Sequence, residues 1–434
     1  MVAQQSVCLR RLGTGRAGEM RFGRFLRNGR VTLAKLIEGV CAGVEARSAG
    51  RHVLAIEDTS ELNYQAHAGR VAGLGCVGNG RDKGLFVHPV LAVDADDGAC
   101  LGLAQLHLWQ RTKGKAANYQ SLPIEDKESV RWISAAQGAC QRMPQARKIT
   151  VIADRESDIY EMWERLPDAR TELLIRACHD RRLGSSAGQP HDKLFGWMAQ
   201  LPIAGSERLA LAATGKRSAH EALLHVRFGS ARLQRPNNCT DPKAAPGVGV
   251  YAIDVLEDTG TVVGKEKPIH WRLLTTHRVE SLHEARQCID WYRQRWHIEQ
   301  LFRTLKSQGL DIESSLVEDA KRLEKLAVLA ASAATTTLQL TLAREGRTQR
   351  PASDAFGAQA IEVLAHIAPT LEGKTQKQKN PHAPASLAWA GWIVARLGGW
   401  KGYASERKPG PITMVHGLQV FEGMARGWRL ARGG

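Results

Sequence analysis

The chain has 434 residues, of which 43% are hydrophobic and 24% charged, a globular composition that is too long for a single compact core and predicts two or three domains. Its formal net charge is +16 and its pI is about 9.7. This surplus favours a polyanionic partner, most simply nucleic acid, over a generally basic soluble protein. The eight cysteines are scattered without a CxxC pair. Their spacing argues against a zinc ribbon or a disulfide framework and is typical of the reducing cytoplasm.

The sequence indicates neither a membrane span nor a secretory signal. We identify no run of about 18 apolar residues, and the N-terminal arginines precede no apolar segment. We therefore expect a cytoplasmic protein without a membrane partner.

The first half of the chain alternates between strand and helix patterns. Residues 1–50 are rich in Arg and Gly and contain one predicted helix, Val31–Ala46. Short apolar runs bounded by turn residues predict strands, and longer periodic runs predict helices. The predicted strands are His52–Tyr64, Gly84–Ala95, Leu101–Trp109, Ile149–Ala153 and Thr171–Ala177, with helices over Ile124–Met143 and from about Ser157.

The second half changes character twice. Residues 178–270 are rich in Gly, Pro and polar residues with short alternating apolar runs, which predicts a mostly β insertion. Further predictions are a strand at Trp271–Thr276, helices at Ser281–Gly309 and Val317–Arg344, and an exposed loop or linker at Gly373–Pro384. The segment Ser386–Tyr403 predicts an apolar helix that ends at Gly398 and Gly399. This order predicts an α/β fold with a ribonuclease H-like mixed sheet core, interrupted by the β insertion and followed by a C-terminal α-helical domain.

Two strand ends carry acidic residues. Asp58 follows VLAIE, and Asp154 ends the apolar run TVIA where a strand-to-helix connection opens. Carboxylates at strand ends can hold a hard divalent cation, because the backbone fixes them while the site stays open to water. Side chains alternate along a strand, so Glu57 and Asp58 cannot face the same way. For Asp154 alone a helix N-cap is the competing interpretation, and Glu156 and Asp158 are interpreted as acids at a helix start.

A third carboxylate lies in the segment WYRQRWHIEQLFRTLK. At about 100° per residue, Tyr292, Arg295, Glu299 and Lys306 fall on one side of a helix. A solvated polar stripe with one Arg–Glu pair would explain this spacing equally well when it is taken alone. The adjacent, core-facing arc carries Ile298, Leu301, Phe302 and Leu305.

Together the acids suggest phosphodiester chemistry. Asp58, Asp154 and Glu299 would bind two Mg²⁺ ions, which activate a water or 3′-hydroxyl and stabilise the leaving oxygen. Arg295, Lys306 and the Tyr292 hydroxyl would hold a phosphate beside the metals.

These residues resemble a known family. IEDTS, ADRESDIY and Y-x2-R-x3-E-x6-K resemble the DDE transposases of the insertion-sequence-four class, the class typified by the transposon-five transposase. The resemblance extends from about Arg24 to the ARLGGW region. It implies that Asp58, Asp154 and Glu299 are the catalytic, metal-binding triad and that Mn²⁺ can replace Mg²⁺.

The resemblance also implies DNA contacts. Tyr292, Arg295 and Lys306 would hold the 5′ phosphate of the transposon end, and Trp271 would fill the space left by a flipped base. Arg176 matches a position that contacts DNA. The competing interpretations are a core aromatic for Trp271 and a strand-end surface residue for Arg176.

The implied function is cut-and-paste transposition of an insertion sequence. One strand is nicked at the transposon end, the freed 3′-hydroxyl forms a hairpin, the hairpin is reopened, and the end is joined to target DNA. A nucleoid-associated homodimer would act on two paired terminal inverted repeats. The expected organisation is a catalytic core at 51–345 with the β insertion at about 178–270, and a helical dimerisation domain at 346–434; a small monomeric domain would also explain the apolar C-terminal segments.

The N-terminus departs from the family pattern, because only about 20 residues precede RFGRF. Residues 1–50 are therefore expected to be a shortened form of the domain that reads transposon ends. One alternative is a non-catalytic inhibitor that dimerises with full-length transposase. Another is a stand-alone nuclease, which shares the acid and lysine chemistry but needs none of Tyr292, Arg295 and Trp271.

Overall fold

The computed structural model describes residues 1–434 except residues 2, 3, 5, 79, 112–118, 185–191, 214–216, 404–405 and 433–434. Its described strands join one mixed sheet. They are β1 (His52–Glu57), β2 (Ser60–Asn63), β3 (Gly75–Val77), β4 (Asp82–Asp94), β5 (Cys100–Trp109), β6 (Lys148–Ala153), β7 (Thr171–Arg176), β8 (Gly205–Leu211), β9 (His220–Gln234), β10 (Gly247–Glu257) and β11 (His270–Thr275).

The sheet has a parallel centre and antiparallel flanks. Its first half runs in the order β5-β4-β1-β6-β7, with β4 antiparallel to both neighbours and β1, β6 and β7 parallel. Strand β11 then pairs antiparallel with β7 and is followed by β10, β9 and β8. This large mixed sheet is consistent with the ribonuclease H-like core predicted from the order of elements.

The predicted β region extends this sheet rather than forming a second one. Strands β8, β9 and β10 join the core through β11. Residues 185–191 and 214–216 of the predicted insertion lie outside the described residues. That the region is an insertion into a shorter ancestral core stays a prediction.

The helices cover both faces of the sheet. The described helices are α1 (Leu9–Gly13), α2 (Arg16–Arg27), α3 (Leu33–Cys41), α4 (Val44–Ser48), α5 (Val130–Arg142), α6 (Tyr160–Arg165), α7 (Leu194–Gln200), α8 (Leu282–Arg293), α9 (Trp296–Lys306), α10 (Ala320–Ala343), α11 (Ala358–Leu371), α12 (Leu387–Leu397) and α13 (Pro411–Ala431). Helices α3, α8, α9 and α10 share one core with the sheet, while α5, α6 and α7 share another.

Alternation along the central strands decides which face each residue serves. Ile56 and Ile152 lie in the core shared with α8, α9 and α10. Ala55 and Val151 lie in the core shared with α5 and α6. Because the side-chain period of a strand is two residues, Asp58 and Asp154 belong to the face of Ile56 and Ile152.

The predicted single helix over Ser281–Gly309 is wrong. The structure has α8 and α9, separated at Gln294 and Arg295. There the amides of Arg295 and Ile298 bond to carbonyls three residues back, at 3.0 and 3.1 Å, which tightens the turn relative to an α-helix. The predicted helix Val31–Ala46 is likewise divided into α3 and α4, where Gly43 adopts a positive φ of 84°.

The N-terminal helices pack into the main core, whereas the C-terminal helices form a separate core. Leu26 and Cys41 from the N-terminal helices are buried in the main core, and Lys325 of α10 donates to the carbonyl of Leu26 at 2.9 Å. The C-terminal helices have a core of their own, which includes Trp392 and Phe421.

Helix α10 corrects one sequence expectation. Among the described residues it is the one helix long and apolar enough to cross a membrane by length and composition. Within the fold, 78% of its apolar window is buried, as in the core helix of a globular protein.

Candidate active site

Two aspartates meet at the carboxyl edge of the parallel strands. Strands β1 and β6 pair in a register that sets Ile56 opposite Ile152. Continuing that register by two residues sets Asp58 opposite Asp154. Neighbouring strands lie about 4.8 Å apart, and register partners point to the same face. Two residues 96 positions apart in sequence therefore become neighbours.

Asp58 lies in a gap of the antiparallel ladder. Strands β1 and β2 pair with β4 in one continuous register, with Glu57 opposite Val90 and Ser60 opposite Val87. The same register sets Asp58 opposite Pro89, which has no backbone N–H to offer the ladder. The Asp58 Oδ1 atom accepts the Thr59 N–H at 2.8 Å. Asp58 therefore lies between β1 and β2, while both strands keep one register with β4.

The neighbouring side chains support this gap from the opposite face. The Thr59 hydroxyl lies 2.8 Å from His88 Nδ1, and His88 Nε2 lies 3.3 Å from Glu57 Oε2. Burial raises the pKa of Glu57 well above its usual range and lowers the pKa of His88 well below its own, so burial favours the neutral form of both residues. Glu57 therefore faces away from Asp58, as strand alternation predicted.

Asp154 is not a helix cap. Its main chain precedes a short 3-10 turn, but its side chain makes no capping hydrogen bond. The Oδ1 atom is buried and has no hydrogen-bond partner among the described residues. A buried carboxylate oxygen without a partner suits a cation or a hydrogen-bond donor that approaches from outside the chain.

The third acid reaches the site through Arg295, at the start of α9. Arg295 Nη1 lies 2.9 Å from Asp58 Oδ2, and its Nη2 lies 3.3 Å from Glu299 Oε1. One guanidinium therefore bridges two of the predicted ligands. Asp58 and Glu299 therefore share one guanidinium, and the charge of Asp154 acts on the same group.

The close approach of these charged groups shifts the pKa values of Asp58 and Arg295. Burial raises the pKa of Asp58 to about 6; Arg295 and the Thr59 N–H oppose the rise, and Glu299 and Asp154 add to it. Burial lowers the pKa of Arg295, but Tyr292, Asp58 and Asp154 outweigh that effect, so the pKa lies above its usual value. At pH 7 the Asp58 carboxylate is therefore mostly ionised and lies beside a charged guanidinium.

Three predicted DNA contacts lie on the Asp154 side. The register of β6 and β7, which sets Ala153 opposite Ile175, continues to set Asp154 opposite Arg176. Tyr292 is buried, and the Trp271 ring lies 6.4 Å from its ring. Burial, and next the charge of Asp154, raises the pKa of Tyr292 to about 12, so its hydroxyl keeps its proton. Trp271 is only half-buried, which leaves part of its ring accessible.

Lys306 lies on the Asp58 side. Its ammonium donates to the Glu61 carbonyl at 2.7 Å and pairs with Glu313 at 3.3 Å. Phe302 and Ser307 help to line an adjoining pocket of about 260 Å³ that opens between Asp58, Glu299 and Lys306. A phosphate in this pocket would lie between the carboxylates and the lysine.

The metal ligands do not converge fully as the side chains are placed. Among the described residues, no three His, Cys, Asp or Glu side chains are close enough together to hold one metal ion. The reason is visible in the contacts, because the Arg295 guanidinium separates Asp58 from Glu299. The buried, unpartnered Asp154 Oδ1 and the carboxylate character of all three groups nevertheless suit a hard divalent cation.

The structure assigns Asp158 a structural role that the sequence did not predict. Asp158, interpreted as an acid at a helix start, is 2% exposed and accepts hydrogen bonds from the Cys178 and His179 amides and from Arg181. It is a buried anchor for the loop after β7. Glu156 does lie on the surface, where it pairs with Arg131 at 2.9 Å. The contacts of Pro89 and His88 were missed, since no local pattern links either residue to Asp58.

The mixed α/β fold, with carboxylates after two adjacent parallel strands and a third on a nearby helix, is consistent with a ribonuclease H-like DDE domain. Residues 133–336 match the family model of the transposase DDE domain, which supports a DDE transposase. The matched stretch includes Asp154, Arg176, Trp271 and the Tyr292–Lys306 segment, whereas Asp58 precedes it. Transposases of this kind act on DNA and generally use divalent metal ions.

Proposed function

We propose that the protein is a DNA transposase of the insertion-sequence-four class that moves an insertion sequence by a cut-and-paste route. The observation that carries this proposal is the register of β1 and β6, which makes Asp58 and Asp154 neighbours at one sheet edge, with Glu299 linked to Asp58 by Arg295. The fit to a nucleic-acid substrate also rests on the net charge of +16.

Asp58, Asp154 and Glu299 would hold two Mg²⁺ ions, or Mn²⁺ in their place. Bound there, the ions would supply Lewis-acid chemistry at the scissile phosphate. Three carboxylates carry a charge that two divalent cations balance better than one guanidinium does. Binding therefore requires the Arg295 side chain to turn away from Asp58.

The remaining side chains would position the DNA. Arg295, once turned, offers a forked pair of donors to a phosphate, and Lys306 offers a point charge across the same pocket. The protonated Tyr292 hydroxyl donates a third hydrogen bond. Trp271, about 6 Å from Tyr292, would occupy the space of a flipped base, and Arg176 would contact the backbone beside Asp154.

The proposed reaction has four steps. Water hydrolyses one strand at the transposon end, and the freed 3′-hydroxyl attacks the opposite strand to give a hairpin. Water reopens the hairpin, and the 3′-hydroxyl then attacks a phosphodiester of the target. Each step breaks one phosphodiester bond and forms one phosphorus–oxygen bond, so a single site can perform all four in sequence. The reaction would take place on the nucleoid, in the cytoplasm.

The C-terminal helices would form the homodimer in which two ends are paired. Helix α13 buries Leu418 and Phe421 in its own core but leaves Val420 and Met424 more than 40% exposed, one turn apart. An apolar pair on an exposed helix face suits a partner helix. Light scattering should give a dimer for the wild type with transposon-end DNA, and a monomer for Val420→Glu/Met424→Glu.

Cleavage of the DNA that flanks the gene tests the catalytic assignment. With Mg²⁺ or Mn²⁺, the wild type should nick these ends and give a hairpin, and Asp154→Ala should abolish both products. Glu156→Gln is the matched control, since Glu156 lies two residues away and its side chain is 71% exposed. Cleavage by Asp154→Ala at the wild-type rate would show that the site assignment is wrong.

The same assay separates the alternatives. A wild type that cuts nothing even at high Mn²⁺, yet suppresses cutting by a full-length relative when the two are mixed, would be an inhibitor. A wild type that cuts without a hairpin, and equally well as Tyr292→Phe, would be a simple nuclease.

A further inference from the structure

A second, larger pocket lies between the catalytic helix and the C-terminal helices. It has a volume of about 880 Å³. Its floor comes from α9 and the end of α10, and its wall comes from the segment between α12 and α13 and from the first residues of α13. The residues that the argument uses are Trp296, Arg303, Arg344, Trp400, Arg407 and Ile412.

The charge of this pocket is strongly positive. Four cationic side chains line it, namely Arg303, Arg344, Arg407 and Lys408, against one acid, Glu406. Lys408 is partly neutralised by Glu345 at 2.7 Å, and Glu406 accepts the Lys401 amide. The remaining arginines leave an excess of positive charge, which an anion would balance.

The pocket also presents donors that the chain itself does not satisfy. The Nε atom of Arg344 and the Nε1 atom of Trp400 are buried and have no partner among the described residues. An unsatisfied buried donor costs about 1–3 kcal/mol, so a native protein usually supplies an acceptor from water or a ligand. Both atoms belong to residues that line this pocket.

A helix N-terminus adds to the same field. Helix α13 has 21 residues, begins at Pro411 after Gly410, and has no side-chain cap. Its first residues, Pro411, Ile412 and Thr413, line the pocket. Uncapped N–H groups and the positive end of the helix dipole attract anions, and phosphate in particular.

The pocket adjoins the catalytic pocket. Arg303 lines both pockets. Its guanidinium lies 5.0 Å from the ring of Trp296, which is 50% exposed. An exposed aromatic ring beside cationic groups suits a nucleotide, whose base stacks while its phosphate is paired.

We propose that this pocket binds a backbone phosphate, with its nucleotide, of the DNA strand that continues beyond the catalytic site. The inference rests on the proposed function, because it needs DNA in the neighbouring catalytic pocket. A 5′ phosphate or an internal phosphodiester would accept hydrogen bonds from Arg344, Arg407 and the first amides of α13. A base of the same strand would stack on Trp296. It gives the C-terminal helices a direct role in holding substrate.

Binding of fluorescein-labelled flank DNA, measured by anisotropy in EDTA, tests this without requiring cleavage. Loss of one phosphate contact reduces the slope of log K against log [salt] by about 0.9 for duplex DNA and weakens binding about eightfold at 0.1 M salt. Arg407→Gln should show both effects, and Arg407→Lys should restore most of the affinity.

A substitution that keeps the fold makes the test sharper. Ile412→Glu places a carboxylate in the first turn of α13, where it favours the helix but repels phosphate. We expect an unchanged or higher melting temperature together with at least an eightfold loss of DNA affinity. Ile203→Glu is the matched control, since Ile203 is also 50% exposed but lies outside the pocket. It should bind DNA within twofold of the wild type.

The outcomes separate the two proposals. If the wild type binds and cuts DNA while Arg407→Gln and Ile412→Glu bind as well as Ile203→Glu, the pocket proposal is overturned and the transposase proposal stands. If the wild type binds no DNA, both are overturned. A third outcome is that calorimetry detects binding of inorganic phosphate to the wild type while both variants keep full DNA affinity. The pocket would then be a site for a free anion, and the proposal would be overturned.

Discussion

Asp58→Asn should make the protein more stable while it removes the proposed activity. Burial raises the pKa of Asp58 from 3.8 to about 6, so the folded state holds the proton more tightly than the unfolded chain does. Stability is therefore lost as pH rises from about 4 to about 6, and the loss is complete above pH 6. Asparagine resembles the protonated acid and does not ionise, so the variant escapes this loss.

The magnitude follows from the shift. About two pKa units correspond to about 3 kcal/mol at pH 8. With an unfolding entropy of about 2.1 cal/mol/K per residue over 434 residues, that gain raises the melting temperature by about 3 °C if the chain unfolds as one unit. At pH 4 the gain should vanish, because Asp58 is then protonated in the folded wild type.

Thermal unfolding followed by circular dichroism in EDTA at pH 4 and pH 8 measures this difference. Asp290→Asn is the control, since the Asp290 side chain is 63% exposed and its pair with Arg293 is a surface ion pair. Adding Mg²⁺ should raise the melting temperature of the wild type and not that of Asp58→Asn. An Asp58→Asn variant that is no more stable at pH 8, or that gains equally at pH 4, would refute the account of a carboxylate destabilised by burial.

Three further predictions concern groups outside the proposed chemistry. Asp158→Asn should cost about 3–5 kcal/mol in urea unfolding, because it leaves the buried Arg181 guanidinium without its carboxylate. His52 and His277 share the Thr150 hydroxyl at 2.7 Å each, and burial lowers their pKa values to about 4 and about 3. Their stabilisation is present above pH 6.5 and is lost as pH falls below it, so His277→Gln should reduce the loss between pH 6.5 and 5.5 by about 1 kcal/mol. Gly417→Ala should cost about 1–3 kcal/mol in thermal unfolding, since its Cβ would lie 1.8 Å from the Val394 carbonyl, whereas Gly427→Ala, with open space around it, should be neutral or stabilising.

Most central strands were predictable because each is a short apolar run between turn residues. The predicted strands at Leu101–Trp109, Ile149–Ala153 and Thr171–Ala177 differ from β5, β6 and β7 by one residue at an end. Helix starts with capping residues were equally visible, as in the capping box of Ser281 and Glu284 before α8. Local signals of this kind depend on residues within one turn of each other.

The pairing registers of the strands and the break between α8 and α9 were not predictable, because they depend on residues far apart in the sequence. Pro89 lies opposite Asp58 only because β4 pairs with β1 and β2 in one register. The break between α8 and α9 follows no Pro or Gly, so no residue marks it. The second pocket collects residues from 296 to 413, which no single periodicity connects.

The segment Tyr292–Lys306 contains both a feature that the sequence predicted and one that it could not predict. Spacing alone predicted Tyr292, Arg295, Glu299 and Lys306 on one side of a helix. In the structure Arg295 pairs with Asp58 and Glu299, and Lys306 contacts Ser60 and Glu61. Spacing could not reveal that Arg295 also pairs with Asp58 across 237 positions. A phosphate contact and a carboxylate contact compete for the same guanidinium. The proposed function thus depends on an exchange in which divalent cations take the carboxylates and Arg295 takes the phosphate, and both partners must be present for either to bind well.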